Sequence, residues 1–445
     1  MTQHTFGLID ANNFYVSRER IFQPALEGKP VVVLSNNDGN IISRSNEAKI
    51  LGLTMGMPFF KARPIIEQHN VTYFSSNYTL YGSMSRRVMD TISEFAPALE
   101  HYSIDEAFVY LDGGCQEEDA RHIKQTIRPW TGIPVSVGVG PTKVLAKVAS
   151  HLAKKRPEYG GVVDLTGRGV DDYLKDFDVS DLWGIGPRYS QFLKSEEQEE
   201  DLQPDLWQAA GLPRLIKKQR IETALELKRC SDAWIRKHLT IQGLRLVWEL
   251  RGISCLPLEV FEKPKKGICC SCAFGKPVLT LEELQEAVAL HAARGGEKLR
   301  RQQLAAQHLT VFISTSRFRS NPEEIYSAAT SWQMPAPTAY SPALIEAARQ
   351  LVERIYKPGY IYSKAGIFLT NIVPDSEMQQ SAFTRVDEAR QMQLMEAVDQ
   401  INRKHGRHTI RPLALGLKQP WQMKRGHLSK NYTTRWNELL TVKVS

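Results

Sequence analysis

Two adjacent carboxylates, Asp105 and Glu106, lie between two apolar runs that are typical of β-strands, Leu99 to Ile104 and Ala107 to Leu111. Neighbouring residues of a regular strand point to opposite faces, so both acids could serve one site only where the backbone reverses, at a hairpin turn. A buried carboxylate without a partner is costly, and a hard divalent cation suits such a pair. The alternative is an ordinary solvated hairpin tip.

A third carboxylate, Asp10, ends a short apolar strand that begins at Phe6. The stretch Ala11 to Tyr15 follows it and is predicted to be a turn that carries two aromatic rings. An acid at the end of a buried strand, beside a hairpin with two more acids, could bind two Mg²⁺ about 4 Å apart. That arrangement suits in-line phosphoryl transfer, in which one ion activates a hydroxyl and the other neutralises pyrophosphate.

A predicted helix carries lysines at regular spacing. The helix follows the apolar strand Val135 to Val139, is opened by Thr142 and runs to Lys155. Its lysines at positions 143, 147 and 154 are separated by four and seven residues, which places them roughly on one face. For Lys143 and Lys147, a solvated basic face is the usual explanation of such spacing.

Composition indicates a globular protein of several domains. The chain has 445 residues, of which 42% are hydrophobic and 24% charged, and this length exceeds that of a typical single domain. No run is apolar enough to span a bilayer and no signal peptide is evident, so we expect a cytoplasmic protein without membrane contact. The six cysteines are scattered, and Cys269 to Cys272 is too crowded for a zinc site, so we expect reduced thiols.

The formal net charge of +8 is concentrated near the C-terminus. Residues 401–445 contain ten Lys or Arg and a single acid, Glu438. A nucleic-acid partner is the economical explanation of this surplus, and a solvated basic tail is the alternative.

Several ordered blocks of the sequence resemble the Y-family of translesion DNA polymerases and, within it, the UmuC type, the catalytic subunit of bacterial DNA polymerase V. Weaker similarity continues to the C-terminus, so the resemblance covers nearly the whole chain. The blocks are Ile9 to Tyr15, Gly28 to Gly39, Phe74 to Tyr78, Tyr102 to Phe108 and Gly138 to Lys143.

The resemblance implies an α+β multidomain fold, a right-hand polymerase with palm, small fingers, a thumb with a helix-hairpin-helix, a βα little finger and a basic C-terminal tail. An acidic stretch from Glu196 to about Thr223 departs from the family, and we expect it to face away from DNA. The expected boundaries are palm 1–18 and 80–168, fingers 19–79, thumb 169–245, linker 246–267, little finger 268–375 and tail 376–445.

The resemblance also implies roles for single residues. Asp10, Asp105 and Glu106 would be catalytic and, with Ala11, would hold the two Mg²⁺. Tyr15 would be the steric gate, whose ring leaves no room for a 2′-hydroxyl. The implied nucleotide contacts are Phe14, Tyr15, Asn46, Lys49 and Lys154, and the implied DNA contacts are Gly184, Ile185 and Gly186 in the thumb and Arg317 and Arg319 in the little finger.

Within the little finger, periodicity predicts two helices and two strands. The helices are Leu281 to Arg300 and Ala343 to Tyr356, and the strands are Leu309 to Ile313 and Tyr362 to Leu369.

The implied function is error-prone, template-directed DNA synthesis across damage in the SOS response, with primer–template DNA and dNTPs as substrates and the nucleoid as location. Implied partners are a cleaved UmuD-type dimer and RecA. The stretch Gln379 to Phe383 keeps the Gln and Phe of a sliding-clamp peptide but lacks its two leucines, so clamp binding stays open.

Two rival functions remain at this stage. One is a catalytically weak DNA-binding scaffold that recruits other polymerases, which the three intact carboxylates oppose. The other is a palm-type nucleotide cyclase, which the hairpin-helix thumb and the basic C-terminal half oppose.

Overall fold

The computed structural model describes residues 5–96, 98–111, 116–167, 169–195, 198–201, 216–261, 263–319, 321–377 and 388–441. Within these ranges the strands form four sheets, separated along the chain by helices, and the expected α+β multidomain fold is confirmed. None of the described helices has the length and apolar character needed to cross a membrane.

The chain opens with a buried strand that leads directly into a helix and then a small sheet. Helix α1 begins at Phe14, directly after Asn13, whose φ is 48°, so Tyr15 lies in a helix and the predicted turn is shorter than expected. The side chain of Ser45 caps α2 as predicted, by accepting from the N–H of Ala48. These elements are β1 (Phe6–Ala11), α1 (Phe14–Phe22), β2 (Val31–Leu34), β3 (Ile41–Arg44), α2 (Asn46–Ile50), α3 (Phe59–Gln68) and β4 (Thr72–Ser75).

The second segment completes a five-stranded sheet around β1. The spatial order is β5-β6-β1-β7-β8, with β1 antiparallel to both neighbours and β8 parallel to β7. Every residue of β1 and β7 is buried, as expected for central strands covered by helices on both faces. The elements are α4 (Tyr78–Ser93), β5 (Leu99–His101), β6 (Glu106–Tyr110), α5 (Gln116–Thr131), β7 (Val135–Gly140), α6 (Lys143–Lys155) and β8 (Val162–Asp164).

Two glycines bring helix α6 unusually close to the sheet. A Cβ atom at Gly138 would lie 2.1 Å from the backbone nitrogen of Ser150, and one at Gly140 would lie 2.8 Å from that of Ala146. Because a side chain at either position would push the helix away, the glycines determine how deeply the α6 side chains reach across the sheet edge.

A mainly helical segment packs against the outer face of α6. Helix α10 continues to Leu250. Of the acidic insertion, the structure describes residues 198–201 and 216–223, and the rest lies outside the described residues. The elements are α7 (Val170–Leu174), α8 (Pro187–Ser195), the paired strands β9 (Gln198–Asp201) and β10 (Ile216–Gln219), α9 (Ala224–Arg229) and α10 (Asp232–Leu250).

A four-stranded antiparallel sheet with two helices follows the linker, in the spatial order β11-β14-β12-β13. The two predicted helices and two predicted strands are confirmed, although both strands are longer than predicted. Strands β11, which carries Cys269 to Cys272, and β13 were not predicted. The elements are β11 (Gly267–Val278), α11 (Leu281–Arg300), β12 (Leu304–Thr315), β13 (Ser327–Thr338), α12 (Ser341–Ile355) and β14 (Tyr362–Pro374).

Helix α13 (Glu388–His405) begins the C-terminal part and is tied to the preceding unit by one bidentate ion pair. Asp399 accepts from Arg300 at 2.7 and 2.9 Å. Further along, Trp421 is 1% exposed in the core of the four-stranded unit, with its ring 5.8 Å from that of Phe274. The ion pair of Asp399 and the buried ring of Trp421 therefore hold the basic C-terminal segment against the four-stranded unit.

Residues 421–432, which we name the C-terminal strap, connect the four-stranded sheet to the N-terminal elements. The amide of Lys424 donates to Asn37 Oδ1 at 2.8 Å, and Ser75 exchanges two hydrogen bonds with His427, at 2.9 and 3.0 Å. The strap ends where Tyr432 stacks on Phe22 at 4.7 Å. The backbone of the strap is therefore docked, whereas the side chains of Lys424, Arg425 and Lys430 stay exposed.

Candidate active site

The three predicted carboxylates converge at one end of the five-stranded sheet. Asp10, in β1, pairs in register with Glu106, in β6, and the amide of Ala11 donates to the carbonyl oxygen of Asp105 at 2.9 Å. Asp10 is 5% exposed, whereas Asp105 and Glu106 are half-buried. The strand-end acid and the hairpin acids are thus neighbours, as the sequence predicted.

Ser103 lies in the turn between β5 and β6 that carries Asp105 and Glu106, which we name the carboxylate turn. Its hydroxyl donates to Asp105 Oδ1 at 2.5 Å and accepts from the amides of Asp105 and Glu106 at 3.2 and 3.1 Å. A serine that bonds to the backbone two and three residues later stabilises a turn in preference to a continued strand. The backbone therefore reverses just before Asp105 and Glu106, which allows both acids to face one site.

The side chains of Asp10 and Glu106 are hydrogen-bonded to each other. Burial raises the pKa of Asp10 to about 8, Lys154 opposes this rise and Glu106 adds to it. Burial also works against ionisation of Glu106, but the hydrogen bond from Asp10 and the charge of Lys147 outweigh it and lower the pKa of Glu106. Burial and the neighbouring carboxylate therefore oppose ionisation of Asp10, and Lys154 favours it.

Three of the α6 lysines form ion pairs with different acids of the sheet. Lys154 pairs with Asp10, Lys147 with Glu106 at 3.0 Å, and Lys143 with Glu100 at 2.5 Å. The side chain of Lys143 is 4% exposed and that of Lys147 is 16% exposed. The expected solvated basic face is therefore wrong for both, because the close packing at Gly138 and Gly140 carries this face onto the sheet.

The predicted nucleotide-binding residues divide into a ring pair and a polar group. The ring of Phe14 is buried, whereas Tyr15 is half-buried and stacks on Tyr81 at 4.5 Å with an interplanar angle of 16°. Across from them, Asn46 accepts from Lys49 Nζ at 2.9 Å. The stacking on Tyr81 therefore limits the movement of the Tyr15 ring.

A basic cluster faces the carboxylates. Burial lowers the pKa of Lys49, and the charges of Arg44 and Lys154 lower it further, so these three cations lie near one another. Asn13 joins them to the end of β1, since its Nδ2 donates to Asn46 Oδ1 at 3.2 Å. A polyphosphate anion is suited to such a cluster. The sequence interpretation had named Lys49 and Lys154 but not Arg44.

The predicted DNA-contact residues lie in two separate elements. Gly184 has a φ of 97°, and a Cβ at Gly186 would have no neighbour within 4 Å, so the backbone there is open to approach. The side chain of Ile185 is 8% exposed and belongs to the core beside α6. In the four-stranded unit, Arg317 is exposed and Arg319 pairs with Glu324 at 3.0 Å.

The donor set at the sheet edge fits a hard divalent cation, since it consists of carboxylate and carbonyl oxygens and includes a deeply buried acid. Within the described ranges, however, no three His, Cys, Asp or Glu side chains are grouped so as to hold a metal ion. Lys154 and Lys147 supply the counter-charge to Asp10 and Glu106 in this structure. A site for Mg²⁺ would take its remaining ligands from water and substrate phosphates.

Some residues of the site gave no recognisable sequence signal. Arg18 is fully buried against the ring of Phe14, and none of its guanidinium nitrogens has a hydrogen-bond partner in the described part of the chain. Burial lowers the pKa of Arg18 to about 8. Trp183 contacts Tyr102 beside the carboxylate turn, although the two are far apart in sequence.

Comparison with known proteins gives near full-length similarity. Residues 9–151 match the impB/mucB/samB family, residues 265–382 match the C-terminal domain of that family, and residues 392–442 match a domain of unknown function (DUF4113). The chain is 40% identical over 447 residues to "Protein UmuC" of Salmonella typhimurium, covering 98% of this chain and 100% of that protein.

Two further comparisons extend beyond this family. "DNA polymerase IV" of Moorella thermoacetica is 29% identical over 414 residues, which cover 91% of this chain and 94% of that protein. A solved Y-family DNA polymerase chimera, Dbh-Dpo4(243-245)-Dbh, is similar with a TM-score of 0.58 and 21% identity, covering 83% of this chain and 99% of that one. At this identity the structural likeness establishes the fold.

Proposed function

Because the chain belongs to the impB/mucB/samB family, we infer that it is an error-prone, template-directed DNA polymerase of the UmuC type that performs translesion synthesis. The observation that carries this conclusion is the convergence of Asp10, Asp105 and Glu106 at one sheet edge, in a chain with a Y-family polymerase fold. A scaffold without catalysis would not need three acids gathered at one place, so that rival is not favoured.

We propose that two Mg²⁺ bind at this edge, held by Asp10, Asp105, Glu106 and the carbonyl oxygen of Ala11. When bound, these ions lower the pKa of the primer 3′-hydroxyl and neutralise the leaving pyrophosphate. The 3′-oxygen attacks the α-phosphorus of the dNTP, the bond to the bridging oxygen breaks, and pyrophosphate leaves. Lys154, now paired with Asp10, would turn to the triphosphate.

The nucleotide pocket that we propose lies between Tyr15 and the basic cluster. The neighbouring cations Arg44, Lys49 and Lys154 would bind the triphosphate, and Asn46 orients the Lys49 ammonium. Tyr15 would exclude a 2′-hydroxyl, because its stacking on Tyr81 prevents the ring from moving aside.

The assignment of domains and DNA contacts is part of the proposal. The five-stranded sheet would form the palm, the three-stranded sheet the fingers, the helical segment the thumb and the four-stranded sheet the little finger, within the boundaries predicted from the sequence. Backbone amides at Gly184 to Gly186 would bind a DNA phosphate without reading sequence, and Arg317 and Arg319 would bind the template duplex.

We also propose the partners and location that the UmuC type implies. These are a cleaved UmuD-type dimer, the RecA filament and a position on the nucleoid in the cytoplasm. The sliding clamp is a weaker proposal, since Gln379 to Phe383 lacks two leucines and lies outside the described residues.

Primer extension on an undamaged and an abasic template tests the proposed function. The purified chain would be assayed with Mg²⁺ and dNTPs, alone and with UmuD-type and RecA partners. Extension past the abasic site supports the proposal, and extension only with the partners marks a regulated subunit. DNA binding without nucleotide incorporation under every condition would contradict the proposal and favour the scaffold function.

A further inference from the structure

Lys147 lies in an aromatic cage beside the carboxylate turn. Its Nζ is 4.3 Å from the ring centroid of Tyr102, 5.4 Å from that of Trp183 and 5.9 Å from that of Phe108. The same atom donates to Glu106 Oε2 at 3.0 Å. Since both charged groups are largely buried, the ion pair and the cation–π contacts are stronger than at an exposed site.

The cage is itself held by a hydrogen bond and ring packing. Trp183 Nε1 donates to the Tyr102 hydroxyl at 3.0 Å, and the two rings meet edge to face at 5.6 Å. Tyr102 and Phe108 flank the carboxylate turn, whereas Trp183 directly precedes Gly184 of the proposed DNA-binding hairpin. Three separate elements therefore meet at the ammonium group of Lys147.

The two lysines nearest the acids differ in their freedom to move. The side chain of Lys154 is 34% exposed and that of Lys147 is 16% exposed. Departure of Lys147 would break the contacts with Glu106 and three rings at once, whereas Lys154 can exchange its carboxylate for a phosphate. The Lys147–Glu106 ion pair is therefore harder to break on substrate binding than the Lys154–Asp10 pair.

We propose that Lys147 is a positioning residue, which holds the Glu106 carboxylate in one orientation throughout nucleotide addition and is itself held by Tyr102 and Trp183. The proposal rests on the proposed polymerase function and adds to it a residue outside the carboxylates and the nucleotide contacts. Lys147 acts through Glu106, so its loss affects the reaction step more than nucleotide binding.

The test is steady-state incorporation of a single nucleotide by Lys147→Met, which keeps most of the stem and removes the charge. We expect kcat to fall about 10- to 100-fold, the range for loss of a group that orients a metal ligand, with the KM for dNTP nearly unchanged. Lys147→Arg should recover part of the loss. The matched control is Lys155→Met, since Lys155 is 63% exposed and pairs with Asp181; it should keep wild-type constants.

A second readout is independent of activity. With 5-fluorotryptophan incorporated, the ¹⁹F signal of Trp183, one of eight tryptophans, is assigned by its loss in Trp183→Phe. Lys147→Met should shift this signal and Lys155→Met should not. Trp183→Phe removes the donor to Tyr102, so we expect a smaller loss of kcat, again with KM unchanged.

Several outcomes would overturn the proposal. A raised KM with wild-type kcat in Lys147→Met would make Lys147 a nucleotide contact. Wild-type values of both constants would show that Lys147 is not required to position the Glu106 carboxylate. If Lys147→Met does not fold, Trp183→Phe decides, and wild-type constants in that variant contradict the proposal. If wild type and Lys155→Met both fail to extend primers, it is the proposed function that fails.

Discussion

Asp10 is deeply buried beside Glu106 and Lys154, so its ionisation depends on the cation next to it. Lysine supplies that charge in this structure, and we propose that Mg²⁺ supplies it during nucleotide addition. An ionised carboxylate without a cationic partner is costly in a low-dielectric site. Two alternative cationic partners would keep Asp10 paired both with and without substrate. Lys147 and Lys154 are therefore part of the electrostatics of the site.

At the residue scale, we predict that Tyr15→Ala relaxes sugar selection while keeping activity. Removing the ring opens the space that a 2′-hydroxyl would need, so ribonucleotide incorporation relative to deoxynucleotide should rise by about tenfold or more. The measurement is the ratio of kcat/KM for a matched dNTP and rNTP. Tyr15→Phe, which keeps the ring stacked on Tyr81, is the control and should keep selection. Unchanged exclusion in Tyr15→Ala would refute the gate assignment.

The acids of the site could be predicted from sequence, and their partners could not. Asp10, Asp105 and Glu106 stand at strand ends and turns, where local pattern and family resemblance both apply. The pairing of Lys147 with Glu106 depends on how closely α6 approaches the sheet, which periodicity does not specify. Arg18 gave no signal because a single basic residue in a short helix is usually solvated.

At the element scale, prediction succeeded where pattern and capping agree. Helix α6 has its predicted cap at Thr142 and α11 has its predicted bounds, because apolar residues recur at helical spacing in both. Strand β13 was missed because it contains Pro335 and Pro337, which are tolerated on an edge strand. Strand β11 was missed because its cysteines and glycines do not resemble a strand by composition.

The close approach of α6 leads to a prediction at Gly138. In Gly138→Ala the new Cβ would collide with the backbone of the helix, so we expect a loss of about 1–3 kcal/mol in the free energy of unfolding, measured by urea denaturation. Gly82→Ala, in α4, is the control. Its Cβ would meet nothing within 4 Å, and stability should stay constant or rise by up to about 1 kcal/mol. Equal stability of the two variants would contradict this account of the packing.

At the scale of the whole molecule, the C-terminal strap fastens the four-stranded unit to the N-terminal sheets. It is anchored by Trp421 at one end and by Tyr432 at the other. Between them Asn77 donates to Ser429, whose hydroxyl donates to Glu19. The hydrogen bonds of Ser429 and the stacking of Tyr432 join residues more than 350 positions apart, which local sequence patterns cannot predict.

The strap leads to a prediction at Trp421. Trp421→Ala removes a fully buried ring, which typically costs about 3–5 kcal/mol, so the strap should detach and the already exposed linker should become more mobile. We expect faster tryptic cleavage at Lys265 and Lys266 and a larger radius of gyration in solution scattering. Trp436→Ala is the control, because Trp436 is 90% exposed. Identical digestion of the two variants would show that the strap does not hold the units together.

The central claim is that the carboxylate turn is the centre of nucleotidyl transfer, and single-nucleotide incorporation by Asp105→Asn tests it most directly. The assay is rapid-quench incorporation of one dNTP with Mg²⁺ on primer–template DNA, beside wild type and Asp90→Asn, an exposed acid on α4. We predict that incorporation is lost in Asp105→Asn, while DNA binding persists, and is kept in Asp90→Asn. Incorporation by Asp105→Asn at the wild-type rate would contradict the account.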